Sequence, residues 1–403
     1  MLSPRGAAGR PSGDHPGRGL CVPHRDHLSG AAGGVPDRRG AHHLPGPPPR
    51  PLQGLPARDL ARLAHRHAPG PGPPAALRAW GAAVEFVACN LCGSSRARLR
   101  FPSTLSRRRG SAADFRCTSN GYGIHPPIVQ CVDCGLVYAN PRCEAGEITG
   151  TYRALEDPLY VLEREGRVLT FERHLRPIER LVGPGRGRRL LDVGCHIGVF
   201  LEIAAAHGWE AWGVEPSRWA VGVARSRGLR VVEGTLREAA FPDAWFDVVT
   251  MWDVIEHLTD PLGELREVHR ILKPGGWMVI HTMDIESPFA RLLGPRWPWL
   301  MEMHLYYFSR RTLRAMLEKA GFRFHSATVQ GRYLRLGYLA SRLRALFPRL
   351  GMALAAVIRL VHLEGLPVHI NLGDLFTAYA WKPAEEEARV PKAGPVAPSS
   401  WPA

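Results

Sequence analysis

The central part of the chain alternates short apolar runs with longer segments that carry apolar residues at helical spacing. The run that contains Leu190 and Leu191 predicts a buried strand, and residues 199–207 behind it have the spacing of a helix. A second apolar run at 210–214 predicts another strand, and residues 217–227 predict another helix. Strands that alternate with helices in this way are typical of an α/β fold with a parallel sheet.

The same alternation continues toward the C-terminus. Residues 261–272 have helical spacing, and the glycines and proline of 273–276 predict a turn directly after them. Five further strands are predicted, at 229–232, 246–251, 277–282, 322–328 and 375–381.

A glycine-containing turn follows the first of these strands and runs from Asp192 through Gly194 and Cys195 to Gly198. Glycines let the backbone pass close beneath a ligand, and the helix that follows directs unpaired N–H groups toward it. Glu215 ends the next strand, 23 residues after Asp192. A carboxylate at that distance can accept hydrogen bonds from both hydroxyls of a ribose. The pattern therefore predicts a cofactor that contains a nucleoside.

Three phrases of the sequence carry a resemblance to a known family: 191–195, 254–258 and 272–276. At this spacing they resemble the class I S-adenosylmethionine-dependent methyltransferases over about residues 152–382. The resemblance implies a Rossmann-like, doubly wound sheet of seven mostly parallel strands, with S-adenosyl-L-methionine as the cofactor. A nicotinamide-binding oxidoreductase would share the first strand and turn, but it needs a third glycine where this chain has Phe200 and Leu201.

The resemblance also indicates further residues of the cofactor site. Thr235 and Leu236 end the third strand, where the adenine of the family lies. Trp252 and Asp253 follow the fourth strand, at the carboxyl edge of the sheet where open α/β folds bind ligands. A helical segment at 152–181 would pack over the cofactor, although an ordinary amphipathic helix explains its spacing equally well.

Two histidines are candidates for the chemistry. Methyl transfer to a hydroxyl needs the donor and acceptor in line and a group that removes a proton. His257 has a suitable pKa, with Glu256 beside it to orient it or to cap backbone N–H groups. His304 belongs to a His-x-x-Tyr-Phe-Ser stretch similar to that of many relatives, in which Ser309 is predicted to cap a helix at 310–320. A purely structural role for either histidine stays open.

The acceptor is less well defined by the sequence. Enzymes of this family that methylate carbon on sugars have a Tyr and a His–Glu pair where this chain has Met301, Glu302 and Met303. We therefore expect methylation of a hydroxyl on a small molecule or glycan. The alternatives are a C-methyltransferase acting on a nucleotide-linked sugar and a non-catalytic zinc-bearing binding protein with a degenerate methyltransferase fold.

Two C-x-x-C-G turns, separated by 38 residues, precede the catalytic region and contain Cys89, Cys92, Cys131 and Cys134. Such turns present two sulfurs each and together can close a tetrahedral, structural Zn²⁺ site. Disulfides are the competing explanation, but we see no export signal and expect a cytoplasmic protein. The run at 135–142 resembles a module that precedes the catalytic domain of some bacterial methyltransferases of sugar and polysaccharide pathways.

Composition divides the 403 residues into four parts. We predict a disordered low-complexity extension at 1–82, a zinc-ribbon-like module at 83–150, the methyltransferase domain at 151–383 and a disordered tail at 384–403. The net charge of +15 comes from 48 Arg and 4 Lys that are spread along the chain. This distribution does not favour nucleic-acid binding.

An apolar segment with interspersed arginines at 333–362 is open to two interpretations. It could form a lid or acceptor-pocket helix pair, inserted at 332–370, or a basic amphipathic surface in peripheral contact with anionic lipid. The sequence contains no apolar stretch long enough to predict a transmembrane span.

Overall fold

A computed structural model describes residues 84–105 and 112–384. The extension predicted at 1–82 and the tail predicted beyond residue 384 lie outside these ranges. Within them, the helices and strands alternate in the order that the sequence pattern predicts.

The strands, in chain order, are β1 (Val84–Glu85), β2 (Ala97–Phe101), β3 (Ile128–Cys131), β4 (Val137–Ala139), β5 (Arg142–Cys143), β6 (Arg189–Val193), β7 (Glu210–Glu215), β8 (Arg230–Glu233), β9 (Phe246–Trp252), β10 (Leu272–Met283), β11 (Tyr306–Tyr307), β12 (Arg323–Val329), β13 (Arg332–Arg335), β14 (Pro367–Ile370) and β15 (Leu375–Trp381). The α-helices are α1 (Ala145–Arg153), α2 (Pro158–Leu162), α3 (Arg164–Val182), α4 (Val199–Ala206), α5 (Arg218–Ser226), α6 (Leu236–Ala239), α7 (Pro261–Ile271), α8 (Pro288–Leu293), α9 (Arg310–Lys319), α10 (Leu336–Leu346) and α11 (Pro348–Leu360). Short 3₁₀ helices span Ala112–Phe115, Ile255–His257 and Gly294–Arg296.

A seven-stranded sheet forms the centre of the fold, in the order β8-β7-β6-β9-β10-β15-β12. Strand β15 is antiparallel to both of its neighbours, whereas β8, β7, β6, β9 and β10 are parallel. The predicted doubly wound, mostly parallel sheet with one antiparallel strand is therefore confirmed.

Alternating strand residues build two separate cores, because successive side chains of a strand point to opposite faces. One face carries Leu191, Val249 and Ile280, which pack with apolar residues of α7 and α9. The other face carries Leu190, Val248 and Val279, which pack with α3 and α4. All six strand residues are buried, so helices cover both sides of the sheet and leave its carboxyl edge open for a site.

A second sheet joins the cysteine-containing segment to the rest of the chain. Its order is β11-β4-β3-β2, and β11 comes from residues 306–307, far beyond the module boundary predicted at 150. The amide of Asn90 donates to Asp260 over 2.8 Å, and Arg142 donates to the Thr259 carbonyl over 3.0 Å. The module thus packs directly against the segment that follows β9 and contributes to its position.

The segment 332–370 begins and ends in a two-stranded antiparallel ribbon, β13 with β14. Helices α10 and α11 form a hairpin between these strands. Gly351 lets the two helices approach closely, since a Cβ on it would lie 2.3 Å from the Arg344 backbone. The predicted helix pair is present, and no helix among the described residues is long and apolar enough to cross a membrane.

Two predicted elements differ from the structure. The turn expected at 273–276 lies within the long strand β10, which is irregular there because Gly275 has a φ of +76° and pairs with Lys382 beyond β15. The single helical segment expected at 152–181 is divided into α1, α2 and α3. Asp157 caps α2 by accepting from the Tyr160 N–H, which ends the preceding stretch and starts a new helix.

Candidate functional site

A cavity of about 320 Å³ lies at the carboxyl edge of the sheet. The loops after β6, β7 and β9 line one side of it, as expected for an open α/β sheet. Four other parts of the chain close the cavity: residues 115–122, residues 148–174, residues 299–304 and the insert at 332–342.

The turn after β6 passes close to the loop after β9. Gly194 has a φ of +68°, and a Cβ on it would lie 2.7 Å from the Val254 side chain. His196, where the family pattern has a glycine, also adopts a positive φ of +50°. The turn therefore keeps the left-handed backbone that glycines favour, even though a larger residue occupies this position.

Glu215 lies at the end of β7 and is buried at the cavity wall. Its Oε2 accepts from the His196 backbone N–H over 2.9 Å, and its Oε1 accepts from the Ser217 N–H over 2.8 Å. Each carboxylate oxygen therefore keeps a lone pair for another donor. Burial raises the pKa of Glu215 to about 7.

Three stacked side chains cover the turn. The ring of Tyr160 lies 3.7 Å from that of His196, and the Arg167 guanidinium lies 3.4 Å from the Tyr160 ring centroid. Arg167 Nε and His196 Nδ1 are buried without a hydrogen-bond partner among the described residues. The expected packing of the 152–181 segment over the turn is thus present, with polar atoms unpaired beside the cavity.

The other predicted cofactor residues divide into two groups. Thr235, Leu236, Trp252 and Asp253 line the cavity together with Gly194 and Glu215. Asp192, Cys195 and Gly198 lie on the far side of the turn and do not line the cavity.

Those three residues fix the turn from below. Asp192 accepts from the Thr250 hydroxyl over 2.7 Å, and burial raises the pKa of Asp192 to about 8. Cys195 is buried and packs so closely on Gly213 that a Cβ there would lie 2.5 Å from its sulfur. Gly198, with a φ of +79°, starts α4.

Asp253 joins the cavity to the insert. It has a positive φ of +54°, and its carboxylate lies 3.2 Å from the Arg332 guanidinium. Burial opposes ionisation of Asp253, but Arg332 and the nearby His281 hold its pKa below the usual value. The carboxylate is therefore ionised and paired.

Glu256 is completely buried in the cavity wall. Its Oε2 accepts from the Thr282 hydroxyl over 3.0 Å, while its Oε1 has no partner among the described residues. Burial, together with the charge of Asp253, raises the pKa of Glu256 to about 8.

His257 and His304 lie side by side, with ring centroids 4.9 Å apart. His257 Nδ1 lies 2.9 Å from the Met303 carbonyl oxygen and 3.0 Å from the Tyr152 hydroxyl oxygen, and His304 Nδ1 lies 2.7 Å from the Trp299 carbonyl oxygen. A carbonyl only accepts, so both rings carry their proton on Nδ1 and leave Nε2 as an acceptor. Burial lowers the pKa of His257, and it lowers the pKa of His304 to about 3.

All three residues predicted for catalysis are thus brought together. One possible metal-ligand atom from each of Glu256, His257 and His304 lies within 4.8 Å of the other two, so the three residues could hold a divalent cation. Without a cation, the neutral imidazole of His257 can accept a proton from a ligand in the cavity, whereas the low pKa of His304 makes it a much weaker base.

Several cavity residues were not predicted from the sequence. Cys117, Tyr122, Trp299 and Arg342 all line it, and they come from segments that only tertiary packing brings together. The arginine-rich composition of 333–362 was the available signal for Arg342. Nothing in the local sequence distinguishes Cys117 as a cavity residue.

The four cysteines of the paired turns form a compact cluster away from the cavity lining. Cys89 Sγ lies 3.4 Å from Cys134 Sγ, Cys92 Sγ lies 3.5 Å from Cys131 Sγ, and all four sulfurs lie within 4.8 Å of one another. Backbone N–H groups of Leu91 and Cys92 bond to the Cys89 sulfur. A tetrahedral Zn²⁺ with bonds of about 2.3 Å needs sulfurs about 3.8 Å apart, so the cluster fits this ion.

Comparison with known proteins shows which protein families this chain resembles. A family model described as a methyltransferase domain matches residues 167–327. The ubiquinone biosynthesis O-methyltransferase of Bordetella avium is 32% identical over 117 residues, which are 27% of this chain and 47% of the relative. That of Ruegeria pomeroyi is 37% identical over 107 residues, 25% of this chain and 43% of the relative. The chain spans about half the length of these curated relatives.

Solved structures are similar as well. An S-adenosylmethionine-dependent methyltransferase from Archaeoglobus fulgidus is 20% identical with a TM-score of 0.38, covering 56% of this chain and 100% of that one. The matched region 167–327 contains the glycine turn, Glu215 and the Glu256–His257 pair, carried by the strand order described above. The family model and the relatives support the resemblance of this region to the class I S-adenosylmethionine-dependent methyltransferases.

Proposed function

We propose that this protein transfers a methyl group from S-adenosyl-L-methionine to a hydroxyl of a small molecule or glycan. The observation that carries the proposal is the arrangement of two groups on the cavity wall. Glu215 keeps acceptor capacity on both oxygens beside the glycine turn, and His257 keeps a free Nε2. The first suits a ribose and the second suits a hydroxyl that must lose its proton.

The donor would be held by the turn and by the adjacent strand ends. Glu215 would accept from the ribose hydroxyls, and Leu236 and Trp252 would pack against the remaining parts of the molecule. The indole N–H of Trp252 is buried without a partner among the described residues, so a polar group of a ligand would satisfy it. The sulfonium supplies a methyl group whose leaving group is already activated.

His257 would act as the base. Its Nδ1–H donates to the Met303 carbonyl, and this hydrogen bond orients the ring. Nε2 is then free to take the proton from the hydroxyl of the methyl acceptor. Because burial lowers the pKa of His257, the ring is neutral near pH 7 and available for this role. His304 would hold or orient the acceptor beside it.

The choice of oxygen over carbon is supported by the relatives, whose names describe O-methyltransferases. Methylation of carbon on a nucleotide-linked sugar is the second candidate, favoured by the resemblance of the cysteine module to those enzymes. The departure at Met301, Glu302 and Met303 weighs against it.

The test is a transfer assay on the full chain with isotopically labelled donor and a panel of phenols, sugars and nucleotide sugars. Mass spectrometry of the product should locate the new methyl group on oxygen. A methyl group on carbon would replace the proposal by the second candidate. If calorimetry detected no binding of the donor at all, a non-catalytic binding protein would be the better description.

The cysteine cluster would hold one structural Zn²⁺ through Cys89, Cys92, Cys131 and Cys134, since four protein ligands leave no open position for catalysis. Metal analysis of the purified chain should give one zinc per molecule. Cys143→Ser is the matched control, because Cys143 lies outside the cluster and its loss should leave the zinc content unchanged. Two disulfides in the purified protein would contradict the zinc site.

The hairpin of α10 and α11 would contact an anionic membrane surface. Its exposed side chains include Phe347, Leu350 and Leu360, of which Leu360 is 79% exposed. Residues 336–363 contain no Asp or Glu, and three of their four arginines, Arg344, Arg349 and Arg359, are exposed, so the surface charge complements anionic lipid. An apolar, basic surface of this kind is unusual for a protein that contacts only water.

Vesicle flotation tests this contact. The chain should float with vesicles that contain phosphatidylglycerol and remain below with pure phosphatidylcholine, and Leu360→Ser with Leu350→Ser should reduce the floating fraction. Leu292→Ser is the matched control, because Leu292 is 82% exposed but lies outside the hairpin. Equal flotation of wild type and the hairpin variant, or no flotation of the wild type, would contradict the membrane contact.

A further inference from the structure

A buried arginine that forms no ion pair among the described residues lines the cavity. Arg342, on α10, is 9% exposed. Its Nη1 donates to the Ser119 carbonyl and, over 2.8 Å, to the Asn120 side chain, and the guanidinium also bonds to the Tyr122 hydroxyl. In the described ranges it forms no ion pair, although a guanidinium stays charged in proteins.

Two neighbouring arginines differ from Arg342 in their partners. Arg332, which lines the cavity, is paired with Asp253, and Arg335, on the same strand, is paired with Glu163 over 2.6 Å. The charge of Asp157 acts on Arg342 from a distance, but its carboxylate accepts from the Thr118 N–H and hydroxyl and from the Tyr160 N–H. Among the described residues, Arg342 therefore forms no ion pair with a carboxylate.

Arg167 also lacks a carboxylate partner, but its place in the fold is different. It stacks on Tyr160, which stacks on His196 of the glycine turn. Under the proposed function this position belongs to the donor, whose amino-acid end carries a carboxylate. Arg342 is then the remaining uncompensated positive charge on the acceptor side.

The surroundings of Arg342 limit what can neutralise it. Its guanidinium lies 4.4 Å from the Tyr338 ring centroid and 5.6 Å from that of Tyr122. The aromatic faces and the Tyr122 hydroxyl stabilise the charge, but none of these neutral partners balances it. A buried charge is costly unless it is paired, and the planar guanidinium matches carboxylate and phosphate geometry.

We infer that Arg342 recognises an anionic group, a carboxylate or a phosphate, on the methyl acceptor. The inference rests on the proposed function and narrows its acceptor from any hydroxyl compound to one that also carries a negative charge. Tyr122, Tyr338 and Trp299 would contact the apolar or ring-shaped body of the acceptor between that charge and the histidines. The insert at 332–370 would then determine acceptor specificity.

Binding of matched probe pairs tests this inference. The full chain is saturated with S-adenosylhomocysteine, and calorimetry compares 4-hydroxybenzoate with its methyl ester and glucose 1-phosphate with glucose. The anionic member of at least one pair should bind about 10-fold or more tightly than its neutral counterpart. The pair that shows the preference distinguishes a carboxylate from a phosphate.

Three variants identify the group responsible. Arg342→Gln should bind the anionic and the neutral probe about equally, and Arg342→Lys should retain part of the preference for the anionic probe. Arg344→Gln, which removes an exposed charge from the same helix, should leave it unchanged. Because Nη1 also holds Ser119, Arg342→Gln is expected to lower the melting temperature, but a merely structural loss would weaken both members of a pair alike.

The two levels of the proposal fail in different ways. If S-adenosylhomocysteine does not bind, the proposed function is wrong. If it binds but neither pair shows a preference for the anion, or if Arg342→Gln retains the wild-type preference, the anion site is wrong while the proposed function stands.

Discussion

The proposed donor side and the proposed acceptor side of the cavity are built in different ways. The donor side would centre on the ends of neighbouring strands β6, β7 and β8, within residues 192–236, with Trp252 and Arg167 beside them. The acceptor side would combine residues 115–122, 256–257, 299–304 and 332–342, which are separated by up to about half of the chain. One continuous segment thus provides most of the donor side, whereas the acceptor side depends on the docking of three peripheral elements.

The two sides also differ in their chemistry. On the donor side, backbone N–H groups orient a carboxylate, Glu215. On the acceptor side, backbone carbonyls orient two imidazoles, His257 and His304, and an unpaired guanidinium lies beyond them. Perturbations of one side should therefore affect donor affinity, and perturbations of the other should affect turnover or acceptor affinity.

The largest effect should come from the proposed base. His257→Ala removes the group that accepts the proton, and general-base catalysis contributes about 10²- to 10⁴-fold, so kcat should fall by that factor. Donor affinity should change little, because His257 belongs to the acceptor side. His207→Ala, on the exposed end of α4, is the control. A kcat equal to that of wild type would exclude His257 as the base.

A smaller effect is expected when zinc is removed. The module holds β11 through β4, and β11 follows His304 directly, so loss of the metal should displace His304. A misplacement of about 1 Å can cost about 10²-fold in rate, and we expect a loss of kcat of up to that size. After chelation, steady-state kinetics measures kcat, which reports on the acceptor side, and calorimetry measures the affinity for the donor. A loss confined to donor affinity would contradict the separation of the two sides.

The pH dependence of donor binding should be weaker still. Glu215 must be ionised to accept two hydroxyl hydrogen bonds, and burial raises its pKa to about 7. Donor affinity should therefore be highest above pH 8 and should fall as the pH decreases through 7, by at most about tenfold per pH unit. Calorimetry at several pH values measures the donor affinity. An affinity that increases toward acid pH would contradict the role of an ionised Glu215.

The smallest effect should come from His304→Gln. Glutamine can still accept and donate hydrogen bonds at the cavity wall, so kcat should fall by about fivefold to tenfold, less than for His257→Ala. If His304→Gln were the more damaging of the two variants, the roles of the two histidines would have to be exchanged.

The sequence predicted the proximity of Glu215 to the glycine turn because the information is local. The glycine turn and Glu215 belong to one strand–helix–strand unit, so their spacing predicts their proximity. The element types and the strand order of the sheet follow from the same local pattern and the resemblance that it carries. Even the substitution by His196 did not alter the turn, since this residue adopts the positive φ that the position requires.

The acceptor side could be predicted only in part. His257 and His304 were identified as candidates from their motifs, but no pattern indicated that their rings would lie 4.9 Å apart. That contact depends on the pairing of Tyr306–Tyr307 with the cysteine module. The position of Arg342 depends on packing of the insert against Ser119 and Tyr122, which no sequence spacing encodes.

The most direct measurement is the affinity for S-adenosylhomocysteine of three proteins: wild type, Glu215→Gln and Glu233→Gln. Glu233 lies opposite Glu215 on the neighbouring strand β8 but is exposed and does not line the cavity. We predict one binding site in wild type, an affinity about 10- to 100-fold lower in Glu215→Gln, and an unchanged affinity in Glu233→Gln. Equal affinities for wild type and Glu215→Gln would contradict the placement of the donor ribose on the carboxylate at the end of β7.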